Sequence, residues 1–298
     1  MFDFRYHVAS LAAVFIALVT GIIVGVAVSG SGFVESSERD LLNGEIRALR
    51  RDLDRARERE SALEDSQGAA AAFVEDSYPA VVANRLRERR IAVLFVGQVD
   101  TRGLLDAVDR TLSDAGGERV RLLALEVPID SRLDAIESQL VSRPALAGYA
   151  GDGNLRNLGR DLAREFVGGA PTPLWDALSG ELVQEREGRR QRAVDGVVVV
   201  RTAEPQQGPT ARFLRGLYDG LEGSVPAVGV ESTRTTPSAI DAYRRSGLSS
   251  VDNVDTPVGR VALALLLGGG QEGHYGVKDS ADAYLPPVEP LPSPPPGA

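Results

Sequence analysis

From Val8 to Val28 the chain reads VASLAAVFIALVTGIIVGVAV, 21 residues without a charge. At a rise of about 1.5 Å per residue this run spans roughly 31 Å, matching a hydrocarbon core of about 30 Å. A helix is the one single segment that satisfies its own backbone in lipid. The pattern therefore predicts a transmembrane helix over residues 8–28, preceded by a stub of residues 1–7. Two other readings fit less well. A cleaved signal peptide has an apolar core of about 7–15 residues, although Gly25 and Ala27 offer small residues near the end of this one. A buried soluble helix rarely runs so far without a polar residue. Arg5 precedes the run and the first basic residue after it is Arg39. The positive-inside rule then favours a cytoplasmic N-terminus in the cell membrane, with the bulk of the chain outside.

Small residues recur at every fourth position of the run: Ala9, Ala13, Ala17, Gly21, Gly25 and Ser29. Gly21 and Gly25 form a GxxxG pair, which lets two helix backbones approach closely in lipid. Beyond a Ser/Gly link (residues 29–32) the pattern changes. Apolar residues fall at Leu42, Ile46, Leu49, Leu53, Ala56 and Leu63, with Glu60 in the one skipped position and Arg, Glu and Asp over the other faces. This is a heptad with Ile46, Leu53 and Glu60 at a, and Leu42, Leu49, Ala56 and Leu63 at d. An aliphatic residue at a with Leu at d favours parallel dimers. A coiled-coil stalk over residues 35–77 is the expectation; its heptad part, residues 35–66, would be about 48 Å long. About three heptads is near the minimum for such a pattern, so a single amphipathic helix packed on the globular domain stays open. From Gly68 to Arg90 a helix is expected to break and restart at Pro79. Arg85, Arg87, Arg89 and Arg90 read as a solvated helix end.

From Ile91 strand and helix alternate. IAVLFVG (91–97), RLLALEV (121–127), DGVVVV (195–200) and VPAVGV (225–230) read as buried strands. Helices are expected over 101–114, 131–141, 155–167, 209–222, 237–246 and 256–267, the last with Pro257 in its first turn and Gly268 to Gly270 as its stop. Together they predict a parallel sheet covered on both faces, a Rossmann-like three-layer α/β domain over residues 90–278. Residues 279–298, Pro-rich from Pro286, read as a disordered tail.

Composition narrows the chemistry. A net charge of −9 and the lack of a basic patch interleaved with aromatics argue against nucleic acid. Cysteine is absent, which removes thiolate catalysis, redox function and Cys-based metal sites. No strand is followed by GxGxxG, because Gly151, Gly153 and Gly159 lack that spacing; there is no GxxxxGK[ST] loop and no GxSxG elbow. The two histidines are His7, beside the apolar run, and His274; a Ser-His-Asp triad would have to use His274. No cofactor is implied and an enzyme is the least favoured reading.

Three stretches resemble one family: FDFRYHVASLAAVFIALVTGIIVG (Phe2 to Gly25), SSVDNVDTPVGRVAL (Ser249 to Leu263) and GHYGVKDSADAYLPP (Gly273 to Pro287). Their order and spacing resemble the MctB family, copper transport proteins of actinobacterial envelopes, one branch of which is also called SteB. The resemblance implies an envelope protein with one membrane helix, assigned to copper efflux or homeostasis. It also implies a link to cell-wall integrity and division through a partner called SteA. It supplies no metal ligands to carry over.

The residues dispute direct metal handling. Copper(I) is held by thiolate and thioether ligands and copper(II) by imidazole. Here there is no Cys, one Met (Met1) and two His. The expectation is a dimeric extracytoplasmic scaffold within a copper transport system, copper being bound by something else. The alternative is a structural or regulatory module that binds a partner, SteA-like, in cell-wall assembly or division. The lipid bilayer and a second copy of the chain are the expected partners. Asp252, Asn253 and Asp255 are the candidates for partner binding, because they would lie beyond the carboxyl end of a strand. A plainer reading has Asp255 or Thr256 capping the helix that starts at Pro257.

Overall fold

A computed structural model describes residues 4–29, 33–97, 102–188 and 192–290. The chain divides into two units, residues 1–70 and residues 71–298. In the first, α1 (Phe4–Ser29) is unbroken, and its stretch Tyr6–Ala27 is long and apolar enough to cross a bilayer. The helix includes the apolar run of residues 8–28. Residues 30–32 of the expected link and residues 291–298 of the expected tail lie outside the described residues.

Helix α2 (Phe33–Val82) contains the whole of the expected stalk segment and runs past Pro79. The expected break there does not occur. Pro79 stands in the last turn, where it removes a single intrahelical bond, and its own carbonyl still accepts from Ala83 N at 3.1 Å.

The second unit is built on a mixed sheet of seven strands in the order β3-β2-β1-β4-β5-β6-β7. These are β1 (Arg90–Val96), β2 (Glu118–Leu125), β3 (Val183–Gly188), β4 (Gly196–Arg201), β5 (Ala227–Val230), β6 (Ser249–Val251) and β7 (His274–Tyr275). All neighbours are parallel except β2 and β3. The expectation of a purely parallel sheet is thus corrected at one edge. The segment VQEREG is charged and reads as no buried strand, yet the chain passes from a helix ending at Leu182 straight into it, and it runs antiparallel along β2.

The alternation of side chains along β1 sorts the helices into two layers. Ala92, Leu94 and Val96 face one core with α4 (Leu133–Val141), α5 (Leu155–Val167), α6 (Pro173–Leu182), α7 (Gly208–Leu221) and α8 (Ile240–Arg245). Ile91, Val93 and Phe95 face the other, with Tyr78 and Val82 of α2, α3 (Arg102–Ala115) and α9 (Pro257–Leu267). Each fully buried Leu or Ile in these layers contributes roughly 1.5–3 kcal/mol. Helices α5 and α7 approach through glycines: a Cβ at Gly216 would lie 1.9 Å from the Arg156 carbonyl oxygen, and one at Gly220 2.4 Å from that of Arg160.

The sequence pattern predicts neither helix α6 nor strands β3, β6 and β7. The strands β6 and β7 hold three and two residues, too few to show a period. The expected tail boundary at residue 279 also shifts. Asp282 N donates to the His274 carbonyl at 2.7 Å and Gly276 N to that of Ala283 at 3.0 Å, so residues up to 283 join the sheet margin.

Candidate functional site

Strands β5, β6 and β7 are parallel neighbours, so their carboxyl ends deliver three loops to one place. Glu231 follows β5, Asp252 follows β6, and Gly276 to Lys278 follow β7. The backbone ladder runs on into these loops: Glu231 N donates to Val251 O at 3.0 Å and Asp252 N to Tyr275 O at 3.0 Å. Two of the stretches that carry the family resemblance meet here.

The Asp252 carboxylate is fully buried and accepts from Val277 N at 2.8 Å and Lys278 N at 2.9 Å. Only glycine fits beside it, because a Cβ at Gly276 would fall 1.9 Å from Asp252 Oδ1 on a backbone of φ +148°. The Lys278 ammonium spends its donors on Glu231 Oε1 (2.5 Å), Thr235 O (2.9 Å) and Ser232 O (3.2 Å). Glu231 is 2% exposed and also accepts from Ser238 Oγ at 2.6 Å and Ala239 N at 2.7 Å. A buried carboxylate is tolerable only when paired and hydrogen-bonded in this way.

Of the three partner-binding candidates, Asp255 alone reaches the surface. It accepts from Thr233 N at 2.7 Å and Thr233 Oγ1 at 3.0 Å, and does not cap α9. Thr256 is the cap: its hydroxyl accepts from Gly259 N at 3.1 Å and donates to Asn253 O at 2.9 Å. Asn253 is buried, and neither end of its side-chain amide has a partner among the described residues. An open depression of about 550 Å³ adjoins the site, lined by Gly103, Leu104, Ser232, Arg234 and Asp255 among others.

Sequence reasoning missed Glu231 and Lys278. The available signal was the single lysine of a chain that otherwise uses arginine, together with an acid directly after a buried strand.

His274 lies at the margin of the same cluster, its Nδ1 sharing a 2.8 Å hydrogen bond with Ser250 Oγ. Asp282 does not complete a triad, since its carboxylate accepts from the His274 backbone N at 3.1 Å and pairs with Arg244 at 2.9 Å. Burial holds the imidazole below its ordinary pKa, with repulsion from Arg244 adding to it and Asp282 and Asp241 opposing. Among the described residues no three His, Asp or Glu side chains gather as a metal site.

The dimerisation candidates lie in the first unit. Gly21 and Gly25 have nothing within 4 Å of a notional Cβ, and Leu42, Ile46, Leu49, Leu53 and Leu63 are 44–68% exposed along α2.

The chain thus joins a helix long and apolar enough to cross a membrane to an α/β domain whose strand-end loops are tied by the Glu231–Lys278 ion pair. The family described as "Copper transport outer membrane protein, MctB" matches residues 1–286, and the chain belongs to that family. It is 27% identical over 318 aligned positions to the proteins named Copper transporter MctB of Mycobacterium tuberculosis and Mycobacterium bovis. These alignments cover 94% of this chain and 98% of each relative.

Proposed function

We propose that this chain serves copper transport in the cell envelope as a dimeric, membrane-anchored scaffold, and that copper is bound by a partner and not within one subunit. In this reading α1 crosses the cell membrane once, with residues 1–7 cytoplasmic and a Rossmann-like domain outside. The strand order, which turns back on itself between β1 and β4, supports the Rossmann-like assignment. The observation that carries the scaffold is the row of large apolar side chains left open on α2, from Leu42 (56% exposed) through Leu49 (68%) to Leu63 (58%). A second α2 at the heptad register would cover it.

The donor set supports the role given to copper. Met1 and two histidines are all the soft or imidazole ligands the chain offers, and the ring of His274 is already engaged by Ser250. The family description speaks of the outer membrane; α1 is the segment that gives this chain its hold on a bilayer. The same description names a transport protein, which supports the reading of a non-enzyme.

Sedimentation of the full chain in density-matched detergent should give a dimer that Leu49→Glu with Leu53→Glu converts to monomer. Copper(I) competition on the same sample should show no sub-micromolar site. A monomeric wild type would remove the scaffold, and tight copper binding would return the metal to this subunit.

A further inference from the structure

On the opposite layer from the α2 end, a cleft of about 470 Å³ opens between α7 and α8 at the carboxyl end of β4. Its volume lies in the range of small-molecule sites, and the carboxyl end of a parallel strand is where open α/β sheets place ligands. Its lining is unusual for a chain of net charge −9: Arg156, Arg201, Arg215 and Arg245 all border it.

These arginines are not equivalent. Arg156 is committed to Asp219 at 2.6 Å. Arg201, Arg215 and Arg245 have no carboxylate partner among the described residues; Arg201 donates its Nε to the Thr202 carbonyl at 3.1 Å and stands 5.6 Å from the Tyr218 ring centroid. The one further acid on the lining, Glu222, sits over Gly247, whose notional Cβ would be 2.9 Å from its carboxyl carbon. Three unpaired guanidiniums thus face one carboxylate. A second observation is independent of charge. Tyr218 lines the same cleft and is 2% exposed, and its hydroxyl makes no hydrogen bond of good geometry among the described residues, although the Arg201 guanidinium stands close to it. A buried donor left unmade costs about 1–3 kcal/mol unless something satisfies it. Burial also pushes the Tyr218 phenol up, with Arg201 opposing, so it is a donor at neutral pH.

We infer that the α7–α8 cleft binds a small molecule bearing a phosphate or diphosphate group, gripped by Arg201, Arg215 and Arg245 with the Tyr218 hydroxyl as a further donor. Guanidinium forks match phosphate oxygens two at a time, and three forks suit a group carrying at least two negative charges.

The test is calorimetric titration of the full chain in a neutral detergent with inorganic pyrophosphate at constant ionic strength, with citrate as the carboxylate comparator. Saturable one-to-one binding is expected, weakened about tenfold or more by Arg245→Gln and by Arg201→Gln. Arg143→Gln, outside the cleft, should leave it unchanged. Tyr218→Phe is the sharpest arm. Its hydroxyl makes no hydrogen bond of good geometry among the described residues, so the melting temperature should hold or rise while pyrophosphate affinity falls about two- to tenfold. Absence of saturable binding at millimolar pyrophosphate, or equal binding by these cleft variants, overturns the site. Citrate binding as tightly as pyrophosphate overturns the phosphate assignment.

Discussion

The Lys278 ammonium lies 2.5 Å from Oε1 of Glu231, a residue 47 positions earlier, and this pair fastens the loop after β7 to the loop after β5. The Glu231 side chain is 3% exposed and that of Lys278 18%, so neither charge can turn to water without unlacing both loops.

Removing one partner strands the other. Lys278→Met leaves the buried Glu231 carboxylate without its cation and should cost about 3–5 kcal/mol. That corresponds to a fall of roughly 6–20 °C in melting temperature for a domain of this size. Adding Glu231→Gln should recover part of the loss. A single variant that melts within a degree or two of the wild type would mean the pair is dispensable.

The word Asp252-Asn253-Val254-Asp255-Thr256 ranks its own substitutions. Asp252→Ala unpairs two backbone N–H groups, of Val277 and Lys278, and should cost about 2 kcal/mol or more. Thr256→Ala removes a helix cap and should cost about 0.5–2 kcal/mol. Asp255→Ala loses only its exposed bonds to Thr233 and should stay within about 1 kcal/mol. Urea midpoints order the three, and Asp255 as the most damaging position would contradict this placement.

Acid should act through His274. Its imidazole titrates below 6.5 in the fold, so as pH falls through about 6.5 the unfolded chain takes up the proton first. Stability is therefore lost with falling pH, by up to about 1.4 kcal/mol per unit. Asp195, held down by Arg90, and Asp282, held down by Arg244, have the same sign, but their stabilisation is lost only in the acid range below 3.8. Glu165, pushed up by burial, has the opposite sign. The measurement is accordingly the difference between wild type and His274→Gln, whose curve should be flatter between about pH 7 and pH 5. Parallel curves would show that His274 titrates alike in both states.

The α5–α7 contact admits no methyl group. Gly216→Ala would set Cβ 1.9 Å from the Arg156 carbonyl oxygen and should cost about 1–3 kcal/mol by forcing the helices apart. Gly180→Ala in α6, with open space around it, should instead stabilise by about 0.5–1 kcal/mol. Opposite signs in thermal melts are the expected result.

What could be read from the sequence follows physical size. The membrane-length run, the valine-rich β4 and the amphipathic α5 each repeat one signal over enough residues to be seen, and α5 keeps the expected bounds of 155–167. The edge strand β3 hides because Glu185, Arg186 and Glu187 in succession leave no apolar alternation, and β7 because two residues carry no pattern. The site was half legible. Asp252 could be placed after a strand only in outline, since the three-residue β6 before it was not seen, and its Gly276 neighbour comes from a loop more than twenty positions away. No local spacing encodes such a meeting, and the same holds for Glu231 and Lys278.

Both margins of the sheet disfavour a further strand. On the β3 side Glu185 and Glu187 are exposed, and charge on an edge strand discourages pairing with another chain. On the β7 side the segment around Asp282 and Ala283 already occupies the free backbone groups. Among the described residues the sheet therefore offers little template for edge-to-edge pairing between copies. Whatever company this domain keeps has to be met through the surfaces of its helices and loops, where recognition rests on side chains and can be selective.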